Sequence, residues 1–313
     1  PPPPPPPRTV SPREPLKTAE NATLPLELVT RDKSDGHAGN YAALVAAVQA
    51  SHAGAVVGTL GKDRPAGDFA TGWRAALAAA PELTQIEIGP ALADLLAAKD
   101  ASECGFHKRA GLFSAVLMYK QLVMQIETAV DEEQKVKHEA IAANCEDAFG
   151  DPAKLGVKLS ADLLEPCYTP IVQSGGNLDL RPSASSNEKH LYYGVITCAV
   201  GARYKSYCAN VGRTLIINPT KPQEKNYKLL LELQAEAISA LRPGAKLSAA
   251  YHAALNRLRS KAPPLEPHLT KNVGFLTGIE FRESSLQLNA KNEAVPSSAA
   301  SKPCRSMRAC TKY

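Results

Sequence analysis

The sequence predicts an α/β (α+β) fold in two lobes, and three observations lead to this prediction. Short apolar runs alternate with helical patterns over residues 25–100, helix-forming residues dominate 101–148, and β-branched and aromatic residues are dense at 165–217. Strands that alternate with helices are typical of a mostly parallel sheet, whereas successive strands indicate an antiparallel one. We therefore expect a small three-layer lobe, joined by a long helix to a larger lobe whose curved antiparallel sheet carries helices on one face.

The first lobe is predicted to contain short strands and amphipathic helices. Strands are expected where short runs are rich in β-branched residues, and helices where apolar residues recur every three or four positions. The expected order is a strand at 26–31, a helix at 40–50, a strand at 55–60, a helix at 68–80 and a strand at 85–89.

The second lobe is predicted to begin with a long helix that breaks near Asp131 and continues as a second helix up to Gly150. Strands are expected within 165–217 and 268–290, and two helices within 222–261. The chain thus divides into a disordered Pro-rich leader (1–25), a first lobe (26–100), a second lobe (101–292) and a disordered Ser/Ala/Lys-rich tail (293–313).

The charge distribution argues against direct binding of DNA. The chain has 36 Lys and Arg against 31 Asp and Glu, but the excess lies in residues 1–24 and 291–313, and 28 basic and 28 acidic residues remain for 25–290. A domain that binds nucleic acid through its phosphates is expected to carry a basic excess. The seven cysteines are odd in number and widely spaced, which favours reduced thiols over a disulfide framework. No apolar run is long enough to span a membrane, so no membrane contact is expected.

The stretch Gly194–Leu215 is typical of two strands around a short turn. With the turn at Arg203–Lys205, Ala199 lies directly opposite Asn210, which places their Cβ atoms about 4.5–5.5 Å apart. Two aspartates there could hold two metal ions about 3.5–4 Å apart, as in dinuclear hydrolases. An alanine methyl has no lone pair and asparagine offers only one neutral carbonyl oxygen, so this pair lacks the ligands that such ions require.

The stretch resembles the creatinase, prolidase and methionine-aminopeptidase superfamily, which has the pita-bread fold. Gly201 and Arg213–Thr214 match the glycine and the Arg-Thr of its motif, Asp-x-Gly followed by Asp-x-x-Arg-Thr. The two metal-binding aspartates of that motif fall on Ala199 and Asn210. The resemblance implies a small creatinase-like N-terminal lobe and a pita-bread, aminopeptidase-like second lobe.

Two further ligand positions follow from the same resemblance. Matching the superfamily's Gly-Leu/Ile-Asp/Glu motif to 278–280 places its metal-binding histidine on Phe275, and another histidine falls near Arg181 or Pro182. The last two carboxylates would follow Asn292, where the chain departs from the family. We therefore expect no catalytic residue, no bound metal and no cofactor. The alternative is a metal-dependent aminopeptidase or prolidase-like hydrolase with replacement ligands.

Within the superfamily, the sequence motifs are most similar to those of the large subunit of FACT-type histone chaperones. The motifs that carry the resemblance are specific: QSGGN at 173–177, GVITCAVGARYKSYCANVGRTL at 194–215, TKNVGF at 271–276 and GIEFRE at 278–283. The resemblance covers about 26–292 and implies an inactive peptidase-like module that lacks the start of its first lobe and the last strands of its sheet. It also implies a nuclear protein that acts in nucleosome reorganisation during transcription elongation, DNA replication and repair.

The resemblance further implies the partners. Core histones or histone tails are the expected ligands, and replication and transcription factors are candidates. The other FACT subunit is expected to bind through regions that this chain does not contain. A purely structural scaffold within a larger assembly is the third interpretation of the sequence.

A peptide-binding cleft is predicted around Asn210, Arg213, Phe275 and Arg181. Asparagine is depleted in strands, so Asn210 is expected either to satisfy a neighbouring backbone group or to line a relict pocket. Arg213 is expected to be paired inside the sheet, because a buried guanidinium requires a partner. Phe275 and Ala199 are most simply core residues.

Overall fold

The computed structural model describes residues 29–31, 33–51, 54–61, 65–179, 181, 183–283 and 286–295. The predicted disordered leader and nearly all of the predicted tail lie outside these residues. The described residues form two compact units, which divide between Gly89 and Pro90. The division falls before the boundary of 100 expected from the sequence, because Ala97 belongs to a hydrophobic cluster of the second unit.

The first unit contains a parallel two-stranded sheet and two helices. Its elements are α1 (Ala38–Gln49), β1 (Val56–Thr59), α2 (Asp68–Ala78) and β2 (Thr84–Glu87), and β1 pairs with β2 in parallel. The core contains buried Leu77, Ala80 and Leu83 with part-buried Val45, Val48, Val57 and Trp73. The alternation of strand and helix therefore predicted these four elements, but not the strand expected before them. Residues 26–28 of the expected first strand lie outside the described residues, and 29–31 are not in a strand.

A long helix opens the second unit after α3 (Gly89–Ala97). It starts as α4 (Ala101–Leu117), passes through a π-helical segment (Met118–Val123) and ends as α5 (Met124–Asp131). Asp100 caps its N-terminus: the Asp100 side chain accepts the Glu103 N–H, and the Glu103 side chain accepts the Asp100 N–H. The predicted break at Asp131 is observed, and α6 (His138–Asp147) follows it. The π segment was not predicted.

An antiparallel sheet packs against this helix. It consists of β3 (Leu164–Pro166), β4 (Ile171–Ser174), β5 (Val195–Tyr204) and β6 (Tyr207–Ile216). β5 is central, since β3 and β4 pair with one of its edges and β6 with the other. The core between helix and sheet includes the fully buried side chains Phe113, Leu117, Met118, Leu122, Ile126, Ile196 and Val200.

The β5–β6 turn lies one position later than the sequence suggested. Lys205 and Ser206 have φ angles of 48° and 71°, as in the two-residue type I′ turns that match strand twist. This turn pairs Gly201 with Asn210 and Ala199 with Gly212. The expectation that Ala199 directly opposes Asn210 is therefore wrong. The two residues lie on one face of the sheet as diagonal neighbours, a relation that separates α-carbons by about 7–8 Å.

The remaining elements form a second layer with its own core. They are α7 (Lys221–Ala240), α8 (Ser248–Lys261), β7 (Asn272–Phe275) and β8 (Gln287–Asn289), and the last two pair antiparallel. Leu233 and Ala237 of α7 and Ala250, Ala254 and Leu258 of α8 pack with Val273, Leu286 and Leu288. Among the described residues, no helix has both the length and the apolarity needed to cross a membrane.

We predict that Ser206→Gly stabilises the hairpin. A non-glycine residue at positive φ costs about 1–2 kcal/mol, which glycine avoids. The substitution should raise the free energy of unfolding in urea by about 0.5–1 kcal/mol. Ser160→Gly is the matched control, because Ser160 is also exposed but has a φ of −74°. A stabilisation of similar size in the control would contradict the assignment of strain to the turn.

Candidate functional site

The candidate site is the face of β5 and β6 that points away from α4. Successive side chains of a strand alternate between the two faces of the sheet. Ala199 of β5 pairs with Gly212 and Gly201 pairs with Asn210, so all four residues share this face. Both predicted aspartate positions of the superfamily motif consequently lie on one surface.

An aromatic cluster contacts this face and joins Asn210 to Phe275. The amide nitrogen of Asn210 donates to the hydroxyl of Tyr168 at 3.2 Å. The Tyr168 ring contacts Phe281 edge-on with 5.0 Å between centroids, and Phe281 contacts Phe275 with 5.4 Å. The guanidinium of Arg282 lies 5.8 Å from the Phe275 centroid. Two predicted site residues are thus brought together by two aromatic residues that sequence reasoning did not single out.

Gly201 allows this cluster to pack on the sheet. A Cβ atom at Gly201 would lie 2.9 Å from both the Asn210 Cβ and the Tyr168 Cε1. Such distances are too short for carbon atoms, so any larger residue would displace the Tyr168 ring. The glycine that matches the superfamily motif therefore lets the Tyr168 ring pack directly on the backbone of β5.

The donor set of this face does not fit a dinuclear metal centre. Ala199, Asn210 and Phe275 present a methyl group, a neutral amide and a phenyl ring, whereas hard cations prefer carboxylate oxygens and zinc prefers imidazole or thiolate. Among the described residues, no group of three or more His, Cys, Asp or Glu side chains is arranged to hold a metal ion. In the described part of the chain, this face therefore lacks the ligand types that a dinuclear hydrolase site uses.

Arg213 lies on the opposite face from Asn210, because three residues separate them on one strand. Its Nε donates to the Tyr119 hydroxyl at 2.9 Å and its Nη1 to the Gly212 carbonyl at 2.7 Å. The guanidinium also stacks on the Tyr119 ring at 5.3 Å. The expected pairing of Arg213 holds, but its predicted place in one cleft with Asn210 does not.

Arg181 lies in the segment between β4 and β5 and is largely exposed. It forms an ion pair with Asp179 at 2.7 Å, and this hydrogen-bonded pairing raises the pKa of Arg181 above its ordinary value. Since Phe275 is buried whereas Arg181 is 79% exposed, the two differ sharply in environment. The predicted cleft of four residues therefore reduces to the Asn210–Phe275 cluster.

A buried polar group that the sequence did not reveal anchors the GIEFRE segment. Lys99 and Glu283 form a buried ion pair of 2.9 Å, although 184 positions separate them. Burial raises the pKa of Glu283, and its Oε2 has no hydrogen-bond partner among the described residues. The Cys208 N–H donates to the Gly278 carbonyl at 2.9 Å, which fixes the same segment against β6. The aromatic Phe281 is thereby held beside Tyr168.

We predict that Gly201→Ala destabilises the protein by about 1–3 kcal/mol, because the methyl group overpacks against Asn210 and Tyr168. Gly105→Ala is the matched control. Gly105 lies within α4 with open space around its Cβ position, so this change should stabilise by about 0.5–1 kcal/mol. Urea unfolding of both variants checks the prediction, and equal effects would contradict it.

Comparison with protein families assigns both units. Residues 107–300 match the model of metallopeptidase family M24, and residues 12–91 match the model of the FACT complex subunit SPT16 N-terminal lobe domain. These matches confirm the predicted fold class and both resemblances stated above.

Individual relatives agree with the family models. FACT complex subunit SPT16 of Oryza sativa subsp. japonica is 39% identical over 288 residues, covering 90% of this chain and 27% of the relative. The chain thus spans about a quarter of that protein's length. The solved N-terminal domain of FACT complex subunit SPT16 from Cicer arietinum is 39% identical with a TM-score of 0.83, over 91% of this chain and 67% of that one.

A more distant structure shows the fold alone. The prolidase of Thermococcus sibiricus is 19% identical with a TM-score of 0.67, over 90% of this chain and 70% of that one. The antiparallel sheet with its helical layer is therefore shared with this prolidase, while the sequence is more similar to FACT complex subunit SPT16. The chain belongs to metallopeptidase family M24, in the branch formed by the N-terminal domains of FACT complex subunit SPT16.

Proposed function

We propose that the chain is a non-catalytic, histone- or peptide-binding module of a FACT-type histone chaperone. In this role it acts in the nucleus, in nucleosome reorganisation during transcription elongation, DNA replication and repair. The observation that carries the proposal is the sheet face of β5 and β6. In a family named for metallopeptidases, this chain packs Tyr168, Phe281 and Phe275 where the superfamily motif places metal ligands.

Hydrolysis of the family's type requires a metal-bound hydroxide. Ala199, Asn210 and Phe275 cannot hold the metal ions that would carry such a hydroxide. This surface is therefore better suited to binding a peptide than to hydrolysing it. The 39% identity to FACT complex subunit SPT16 supports a chaperone role over a peptidase role. The equal numbers of basic and acidic residues in 25–290 support protein ligands rather than direct contact with DNA.

The outer edge of β6 is the proposed contact for an extended peptide. The Cys208 N–H points away from β5 and donates to the Gly278 carbonyl. Main-chain groups of alternate residues along a strand point to the same side, so those of Thr214 and Ile216 also point away from β5. Neither of these two residues has a main-chain partner on that side within the described part of the chain. An extended peptide can add as a further strand to such an edge, where main-chain hydrogen bonds provide affinity.

The proposed partners are core histones or their tails. The other FACT subunit would bind through regions that this chain does not contain, and replication and transcription factors are further candidates. A purely structural scaffold would instead bind neither free tails nor histone dimers, but would still associate with partner proteins.

We predict that the chain binds histone-tail peptides or histone dimers at salt near physiological, and that Thr214→Pro weakens this binding. Proline removes an N–H that faces away from β5, so it blocks strand addition without breaking the β5–β6 ladder. Thr214→Ala keeps that N–H and is the matched control. Calorimetric titration checks the prediction. The absence of binding by the unmodified chain would refute the proposed function, whereas equal binding by both variants would refute only the β6 contact.

We also predict that the purified protein carries no stoichiometric manganese, cobalt or zinc and does not hydrolyse Xaa-Pro dipeptides when these ions are added. The reason is the donor set of Ala199, Asn210 and Phe275. Elemental analysis and a dipeptide assay check this. Metal-dependent turnover would favour the hydrolase with replacement ligands.

A further inference from the structure

A serine, a histidine and an asparagine from three segments of the second unit form a hydrogen-bonded chain. The Nε2 of His138 lies 2.7 Å from the Ser174 Oγ, and its Nδ1 lies 2.8 Å from the Asn187 Oδ1. Ser174 ends β4, His138 begins α6, and Asn187 lies in the segment between β4 and β5. A nucleophile, a base and a group that orients the base have this arrangement in acyl-transfer sites.

The surrounding hydrogen bonds assign the positions of the protons in this chain. The Asn187 Oδ1 accepts the Lys189 N–H at 3.0 Å, so this atom is an acceptor and the hydrogen between Asn187 and the imidazole lies on Nδ1 of His138. In a neutral imidazole with its hydrogen on Nδ1, Nε2 is an acceptor. The Ser174 hydroxyl therefore donates to Nε2, and its oxygen accepts the Tyr192 N–H at 2.7 Å. The serine proton thus points at the base that would remove it.

Main-chain contacts hold the imidazole in place. His138 is 1% exposed, and its N–H donates to the Lys189 carbonyl at 3.0 Å. The Glu139 N–H donates to the Asn187 carbonyl at 3.1 Å. These bonds fix the first turn of α6 against the segment that carries Asn187. The base is therefore oriented before any ligand arrives, as a reactive site requires.

The approach to Ser174 is open on the solvent side. Ser174 is part-exposed, and the exposed Gly175 and Gly176 follow it. A Cβ atom at Gly176 would meet no heavy atom of the protein within 4 Å, and one at Gly175 would lie 3.9 Å from the Tyr192 Cβ. The N–H groups of both glycines donate to no other described residue. The N–H of the residue after a nucleophile commonly stabilises the oxyanion, and Gly175 has this group available.

We propose that Ser174 is a nucleophilic serine that accepts an acyl group from an activated donor, a thioester or an aryl ester. The Ser174 oxygen attacks the carbonyl carbon and forms the new C–O bond, while its proton passes to the Nε2 of His138. The bond from the carbonyl carbon to the leaving sulfur or oxygen then breaks, and the proton moves to that leaving atom. The products are an ester at Ser174 and a free thiol or phenol, so the step needs no further reactant.

The uncharged Asn187 limits the site to a single acyl transfer. Its amide orients the imidazole but has no charge to stabilise the imidazolium that forms when the serine loses its proton, whereas serine hydrolases use an aspartate for this. Hydrolysis of the new ester passes through the same imidazolium, so the acyl group on Ser174 should persist. The chain is then a stoichiometric acceptor, which is consistent with a non-catalytic module.

The site is separate from the candidate face of β5 and β6. Ser174 pairs with Ile196, whose side chain is fully buried towards the long helix, whereas Ala199 lies on the opposite face of β5. A negative result at Ser174 would therefore leave the proposed peptide contact untouched.

The chain contains a matched control serine. Ser186 is also part-exposed, and its Oγ accepts the Val172 N–H at 2.9 Å. Its hydroxyl donates to the Pro170 carbonyl at 3.1 Å rather than to a histidine. A carbonyl oxygen cannot remove the proton, so Ser186 should not react.

The test is labelling of the full chain with a fluorophosphonate, which forms a P–O bond to an activated serine and releases fluoride. We expect a single phosphonate, mapped to Ser174 by peptide mass spectrometry, and no label on the chain unfolded in urea. Ser174→Ala should lose the label and Ser186→Ala should keep it. With p-nitrophenyl acetate, the unmodified chain should release one more equivalent of nitrophenol than Ser174→Ala, in a burst.

Two further variants test the role of the base. His138→Gln should slow labelling by about 100-fold or more, as expected for loss of a general base. Asn187→Asp keeps an acceptor for the Lys189 N–H and adds the missing charge, so it should speed both labelling and loss of the acetyl group. Circular dichroism verifies folding of each variant.

Three results would overturn the proposal. The first is the absence of label on Ser174 in the folded, unmodified chain, and the second is an unchanged rate in folded His138→Gln. If His138→Gln does not fold, Asn187→Asp decides, because a rate no faster than that of the unmodified chain would contradict the role of the imidazole.

Discussion

The register of β5 against β6 is the constraint on which the second unit depends. The turn at Lys205–Ser206 sets this register, and the register decides which side chains share each face of the sheet. On one face Ser114 of α4 ties both strands together: its Oγ accepts the Ala202 N–H at 3.0 Å and lies 3.2 Å from the Ala209 carbonyl. On the other face the same register aligns Gly201 with Asn210. A slip of one residue would exchange the two faces and bury Asn210 against the helix.

Local patterns predicted the elements, whereas contacts between distant segments had to be observed. Apolar periodicity was sufficient for α1, α2, the long helix and the parallel strand pair, because each pattern lies within one segment. The superfamily motif also placed Asn210 and Phe275 at one site. The contact that joins them passes through Tyr168 and Phe281, which are far apart in sequence and carry no local signal of proximity.

Two errors of the sequence analysis have simple physical causes. The pair of Ala199 and Asn210 was misaligned because Lys-Ser is an uncommon sequence for a type I′ turn, which usually contains Asn-Gly or Asp-Gly. The grouping of Arg213 with Asn210 ignored the alternation of side chains along a strand, which sends residues three apart to opposite faces. The second error could have been avoided from the sequence alone. The first required the φ angles of Lys205 and Ser206.

The π-helical segment within the long helix explains an irregular step in its buried side chains. Phe113 and Leu117 are four residues apart, as are Leu122 and Ile126, but Leu117 and Leu122 are five apart. In a regular α-helix a side chain five positions on is turned by about 140°, whereas the wider i→i+5 turn reduces this rotation and keeps Leu122 on the same buried side as Leu117 and Met118. Removing one residue from 118–123 would therefore give a regular helix without changing which side chains are buried. Alignments of related chains can thus carry a single-residue gap at this segment while the surrounding core stays in register.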